Sequence, residues 1–148
     1  SRGFDVTAVD ASAVGLTKAA ALAEERGVAL RTVVADLGLF VIAPSAWAGV
    51  VSIFAHLPPE LRRRVHAAVV EGLRPGGVLV LEAYTPAQIA LGTGGPKDPA
   101  LCMTLAGLRH ELAGLELLVG LEREREISEG KYHRGRSAVV QVVARKPA

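Results

Sequence analysis

Residues 4–36 read FDVTAVDASAVGLTKAAALAEERGVALRTVVAD. The alternation inside that stretch decides the fold. Phe4–Val9 (FDVTAV) is a short apolar run that reads as a strand ending at Asp10. Ser12–Arg26 is rich in Ala and Leu and reads as a helix, with Ser12 suited to its N-cap and Gly27 to its C-cap. Leu30–Ala35 (LRTVVA) is a second apolar run, ending at Asp36. Strand, helix and strand in that order make one unit of a parallel sheet.

The same rhythm continues outward. Gly49–Phe54 (GVVSIF) reads as a third strand. Pro58–Pro59 opens a helix whose Leu61, Val65, Ala68 and Val69 share a face, and Arg74-Pro75-Gly76-Gly77 stops it. Val78–Ala83 (VLVLEA) is a fourth strand, apolar enough to be covered on both faces. Beyond it the character changes. Leu91–Met103 is a Gly/Pro-rich loop, in which GTGGPKD reads as a mobile flap by the acceptor side, and Thr104–Leu112 is a short helix. Leu115–Ile127 and Ser137–Arg145 are strands joined by a connection too short for a helical crossover, so they are expected to pair antiparallel. The expected fold is therefore α/β: a Rossmann-like open, mostly parallel sheet with a C-terminal antiparallel hairpin, forming one domain over residues 1–148.

Composition bounds the partners. Half of the 148 residues are hydrophobic and 22% are charged, which excludes a disordered chain. The net charge is only +2, and residues 121–148 hold seven Lys/Arg against four Asp/Glu. That is too thin a basic stripe for nucleic acid to be the expected partner. The single cysteine, Cys102, excludes an internal disulfide and a Cys-rich metal site. Asp36 and Pro44 interrupt the longest apolar stretches, so no segment of about 20 residues suits a bilayer, and no membrane partner is expected. No signal-peptide pattern is seen, and the expected location is cytoplasmic.

Ligands of open α/β sheets sit beyond the carboxyl ends of the strands, so the residues there matter most. Asp10 is one: a carboxylate accepts two hydrogen bonds from the vicinal hydroxyls of a ribose. Asp36 ends the next strand, on the same rim. Each acid equally suits a helix N-cap or a turn. His56 faces either a ligand or a capping turn before Pro58. His133 stands in the hairpin with Tyr132, Arg134 and Arg136, where it either meets an anionic ligand or forms a solvated basic turn. His66 and His110 lie in helical patterns and read as surface residues, and Arg62-Arg63-Arg64 reads as a solvated face. GTGGPKD lacks the strand–loop–helix order of a phosphate cradle.

Taken in order, SRGFDVTAVDAS, VVADL, GVVSIFAHLP and GLRPGGVLVLEAY resemble the class I S-adenosylmethionine-dependent methyltransferases. EAYTPAQ, GTGGPKDPALCMT and EGKYHRGRSAVVQ are similar to the tellurite-resistance-type and thiopurine-type small methyltransferase branch. The resemblance covers essentially the whole chain. It implies S-adenosyl-L-methionine as cofactor and a small-molecule methyl acceptor. Asp10, with Ala11 beside it, matches the position that binds the adenosyl ribose. Asp36 and Leu37 match the position near the adenine, and Phe54 the one facing the methionine moiety. His56, Tyr84, His133 and Arg134 are the substrate-side candidates. No catalytic residue is assigned, because the sulfonium is already an activated donor and positioning supplies much of the effect. The family's first strand and its glycine loop are expected just before Ser1, and the 148 residues lack both.

Two other readings stay open. A nicotinamide-dependent reductase also places an acid at the ribose, but this chain has no Tyr-x-x-x-Lys pair. A non-catalytic or assembly-dependent fragment of a methyltransferase is the stronger rival. Without a central strand, FDVTAV and GVVSIF have unpaired edges, and a homodimer formed through those edges is one expected outcome.

Overall fold

The computed structural model describes residues 2–128 and 134–148. The chain forms two compact units, Ser1–Val41 and Ile42–Ala148.

The first unit is the strand–helix–strand element. β1 (Thr7–Asp10) and β2 (Arg31–Val34) pair in parallel, from Thr7 opposite Arg31 to Asp10 opposite Val34. The crossover is α1 (Ala13–Glu25). Its ends form as the sequence implies. The Ser12 side chain accepts from the Gly15 N–H. At the other end Gly27 N–H donates to Glu24 and Val28 N–H to Ala23, the paired bonds of a Schellman stop. Gly27 has φ +61°, which costs a glycine little. Among the described residues of this unit only Leu16 and Ala23 are buried, so it has little core.

The second unit carries a mixed four-stranded sheet in the order β3-β4-β6-β5. β3 (Trp47–Ile53) runs parallel to β4 (Leu73–Tyr84). β4 and β5 (Glu116–Ser128) each pair antiparallel with β6 (Arg134–Arg145), so the expected terminal hairpin is present and inserts β6 beside β4. The strands thus fall into two sheets, and the larger contains more antiparallel than parallel pairing.

α2 (Pro59–Gly72) and α4 (Leu105–Glu111) supply the helices of the core. Val69 from α2 and Leu108 from α4 pack with Leu79, Leu81 and Ala83 of β4 and Val140, Val142 and Ala144 of β6. From Gly77 to Ala83 every second residue of β4 is therefore buried. The intervening Val80 is exposed, as is its β3 partner Val51, so β4 is less covered than its apolar sequence suggests. The outer edge of β3 carries no strand among the described residues.

The 84–103 connection is more structured than a flap. It contains α3 (Gln88–Leu91) and a 3-10 turn at Pro99–Leu101. The buried Gln88 amide accepts from Ala138 N–H of β6 at 2.8 Å and donates to Thr93 Oγ1 and Gly94 O at 2.9 and 3.0 Å. Thr93 donates in turn to Arg136 O. Gly95 rests on the Tyr84 ring, where a Cβ would stand 2.6 Å from the ring, so only glycine fits. Sequence composition gives no sign of the two tethers to β6, which join residues 43 and 50 apart in the chain.

Candidate functional site

In the first unit, parallel pairing sets Asp10 and Asp36 on one rim. Asp10 ends β1 opposite Val34, and Ala35 N–H donates to Asp10 O, so Asp36 follows just beyond. Both side chains are exposed. Each uses one oxygen in its own turn: Asp10 Oδ1 accepts from Ser12 N–H and Asp36 Oδ1 from Gly38 N–H, both at 2.7 Å. The turn role and a ligand role are therefore compatible. The turn bond orients each carboxylate, and Oδ2 of each carries no hydrogen bond among the described residues. Ala11 is exposed beside Asp10, and Leu37 is half-buried beside Asp36.

In the second unit, the carboxyl ends of β3 and β4 bring three of the candidates together. Phe54 follows β3, Tyr84 ends β4, and their rings stack with centroids 4.5 Å apart. His56 stacks on Tyr84 at 5.4 Å with the rings 9° from parallel. Phe54 sits at φ +53°, a left-handed conformation that costs a bulky residue on the order of 1–3 kcal/mol. Its N–H donates to Glu82 O at 2.8 Å, which together with the Tyr84 stack holds it there. Tyr84 is 1% exposed under Gly95, so it serves the site as a packed floor, not an open contact.

His56 is half-buried and both ring nitrogens face backbone. Nδ1 donates to Leu101 O at 2.9 Å, and Nε2 faces Tyr84 N–H, which donates to it at 3.4 Å. Burial pushes its pKa down, and the Arg62 charge pushes the same way against the Leu101 hydrogen bond. The ring is neutral, with its proton on Nδ1.

Sequence reading missed the charged cluster beside it. Arg62 is not part of a solvated face: its guanidinium lies against Glu111, Nε within 3.1 Å of both carboxylate oxygens and Nη2 at 2.9 Å from Oε1. His66, expected at the surface, is 5% exposed and donates from Nδ1 to Glu111 Oε2 at 2.7 Å. Burial raises the Glu111 pKa, but hydrogen bonds and charge from Arg62, with His66 adding to them, outweigh it and hold the carboxyl below its ordinary value. His66 is pushed down by burial in spite of Glu111, so it is neutral. A signal was available: Arg62, His66 and Val69 recur at the helical spacing that marks the buried face. The run of three arginines masked it. Arg63 and Arg64 are exposed, as is His110.

Arg134 opens β6 as an exposed residue beyond the level of Tyr84, whose partner is Val139, and it is not joined to the aromatic group. His133 lies outside the described residues. A cavity of about 270 Å³ opens on the α2 and α4 side, lined by Pro59, Arg62, Cys102, Thr104 and Glu111 among others. Its two charged residues are paired with each other, and Phe54, His56 and Tyr84 are not among its walls.

A family model described as a methyltransferase domain matches residues 1–77. No curated protein matches the sequence. Among solved structures, TehB from Haemophilus influenzae superposes with a TM-score of 0.76 at 19% identity, over 97% of this chain and 50% of its own. An S-adenosylmethionine-dependent methyltransferase from Methanosarcina mazei gives 0.75 at 17% identity, over 99% and 84%. The N-methyltransferase NodS from Bradyrhizobium japonicum WM9, in complex with S-adenosyl-L-homocysteine, gives 0.70 at 14% identity, over 97% and 67%. The chain thus spans half of the first of these proteins and larger shares of the other two, and the likeness is one of fold.

Proposed function

Because this chain belongs to the methyltransferase domain family, we propose that it transfers a methyl group from S-adenosyl-L-methionine to a small-molecule acceptor. The observation that carries the reading is the shared rim of β1 and β2. Asp10 ends β1 and Asp36 follows the end of the adjacent parallel β2, each oriented by its own turn and each with an oxygen to spare among the described residues. That pair of acceptors fits an adenosine. Vicinal ribose hydroxyls donate to one carboxylate, and the exocyclic amine of adenine donates to the other.

In this reading Asp10, with Ala11, would hold the ribose, Asp36 with Leu37 the adenine, and Phe54 the methionine portion. The cofactor supplies an activated sulfonium methyl. The chain's own residues bind, orient and exclude water, which suffices for a displacement that needs no covalent intermediate. His56, Tyr84 and Arg134 are the acceptor-side residues of the reading, and no general base is assigned. The finer assignment, to the small methyltransferase branch, rests on the second half of the sequence, from EAYTPAQ to the terminal hairpin. Matches over 97–99% of the chain support treating residues 1–148 as a single domain.

Calorimetric titration with S-adenosylhomocysteine tests the reading. Saturable binding at micromolar Kd, on the order of −8 kcal/mol, supports it. No saturable binding overturns it for this chain. Binding without methyl transfer to any of a broad panel of small acceptors, followed with a radiolabelled methyl donor, favours the non-catalytic alternative.

A further inference from the structure

Three consecutive carbonyls in the 98–103 segment are captured by two side chains from the residues that follow β3. Ala100 O accepts from Arg62 Nη1 at 3.1 Å, Leu101 O from His56 Nδ1 at 2.9 Å, and Cys102 O from Arg62 Nη1 at 3.2 Å. The amides of the same stretch are also engaged: Leu101 N–H with Asp98 O, Cys102 N–H with Pro99 O, and Met103 N–H with Tyr84 O. Arg62 is fixed in its turn by the Glu111 carboxylate, which also accepts from His66.

Nothing in the sequence of the segment, DPALCM, demands such a lock. A surface connection between a strand and a helix is ordinarily held by its own turns and by solvent. Here a half-buried imidazole and a nearly buried guanidinium are spent on its backbone. His56 also spans the strand ends, since Tyr84 N–H approaches its Nε2 while Tyr84 O accepts from Met103.

Resting on the methyltransferase reading, we propose that His56 and Arg62 are a pair of positioning residues. They hold residues 98–103 as a fixed wall at the carboxyl ends of β3 and β4, where the acceptor is bound. It follows that His56 is not the general base of the reaction. Its one proton is committed to Leu101 O, and its remaining lone pair faces a backbone N–H. It follows also that the acceptor is received by a wall already built, so that binding does not have to order it.

The test is nitrogen-15 NMR and amide hydrogen exchange on the full chain. In the wild type at neutral pH, His56 is expected as the neutral tautomer with the proton on Nδ1. His56→Phe keeps a ring for the Tyr84 stack but has no donor. Exchange at Leu101, Cys102 and Met103 should then rise about tenfold, the scale of one lost hydrogen bond, while exchange at Val142 in the core stays as it was. His56→Asn puts a donor near the Nδ1 position and should bring exchange back to within about threefold of the wild type. Arg62→Lys, which cannot reach both carbonyls and the carboxylate together, should loosen the same amides. A His56 protonated on Nε2, or wild-type exchange at 101–103 in His56→Phe, overturns the proposal. Should a variant fail to fold, the wild-type tautomer still decides it. The S-adenosylhomocysteine titration of the wild type stands apart from these signals: its failure removes the methyltransferase reading and leaves the clamp measured on its own.

Discussion

The two units hold their functional side chains in opposite ways. Asp10 and Asp36 stand exposed at the rim of a two-stranded sheet whose unit buries only Leu16 and Ala23 among its described residues. Phe54, His56 and Tyr84 stand on a four-stranded sheet packed on a cluster that includes Leu79, Leu81, Leu108, Leu112 and Val140. The carboxylates are exposed, and each keeps an oxygen without a hydrogen bond among the described residues. The aromatic group and His56 are held because everything around them is engaged. A charged ligand contact needs little scaffold when a turn orients it, whereas a shaped wall needs a core and buried polar groups. Substitutions should therefore change stability in the second unit and ligand affinity in the first.

The largest expected effect is at Glu111. Glu111→Ala leaves Arg62 and His66 without their shared acceptor, at side-chain exposures of 12% and 6%. Removing one partner of a buried pair costs about 3–5 kcal/mol. Urea denaturation is expected to show that loss, or a chain that does not fold. A loss under about 1 kcal/mol would mean that the cluster is solvated in the manner of a surface pair, and the contrast between the units would lose its main support.

The same cluster sets a pH response. Folded-state pKa values of His56 and His66 lie below the ordinary histidine value, mainly through burial, and that of Glu111 lies below the carboxylate value. For a depressed pKa, the stabilising contribution is present above the unfolded value and is lost as pH falls toward the folded one. Stability should thus decline as pH drops below about 6.5, where the unfolded histidines take up protons first, and decline further below about 4.3 as unfolded Glu111 is protonated. Urea midpoints between pH 8 and 4 check this. A midpoint that rises from pH 7 to 5 would contradict the neutral assignment of both histidines.

Asp10 comes next, and its effect should appear in binding. Asp10→Ala removes an acceptor from a bound ribose, and S-adenosylhomocysteine affinity should fall by about 1–3 kcal/mol, roughly 5- to 150-fold. Asp10→Asn retains a carbonyl for Ser12 N–H and should weaken binding by less. Chain stability should move by no more than about 0.5 kcal/mol in the Asn variant, since the residue is exposed. Unchanged affinity by calorimetry removes Asp10 from the cofactor site.

How much of this was legible in the sequence divides along the same line. Strand–helix–strand order, the Ser12 and Gly27 caps and the shared rim of Asp10 and Asp36 are local consequences of spacing and are present, although β1 runs Thr7–Asp10 and not Phe4–Val9. The terminal hairpin followed from the length of one connection. The Arg62–Glu111–His66 cluster did not, because its partners are 45 to 49 residues apart and its arginine sits in a run that looks solvated. The capture of Leu101 O by His56, across 45 residues, was equally hidden. Gly- and Pro-rich composition in 91–103 suggested mobility, but composition does not register a buried Gln88 or a glycine pressed on a ring.

The smallest expected effect uses one cap chemistry in both units. Ser12 accepts from Gly15 N–H at the start of α1, and Thr104 accepts from Gly107 N–H at the start of α4, at 3.0 and 3.1 Å. Replacing either hydroxyl residue by alanine removes one acceptor and should cost about 1 kcal/mol locally. The readout should differ, because α4 carries Leu108 at 2% exposure into the main core, whereas α1 buries only Leu16 and Ala23. Thr104→Ala is expected to shift the urea midpoint of the main transition. Ser12→Ala is expected to raise amide exchange in the first turn of α1 about fivefold, since helices that bury few side chains are among the segments that open locally. Should Ser12→Ala lower the main midpoint as much as Thr104→Ala does, the first unit is held as firmly as the second. The exposure of its two acids would then not reflect a weaker scaffold, and the inverse relation between packing and ligand availability drawn from the two units would fail.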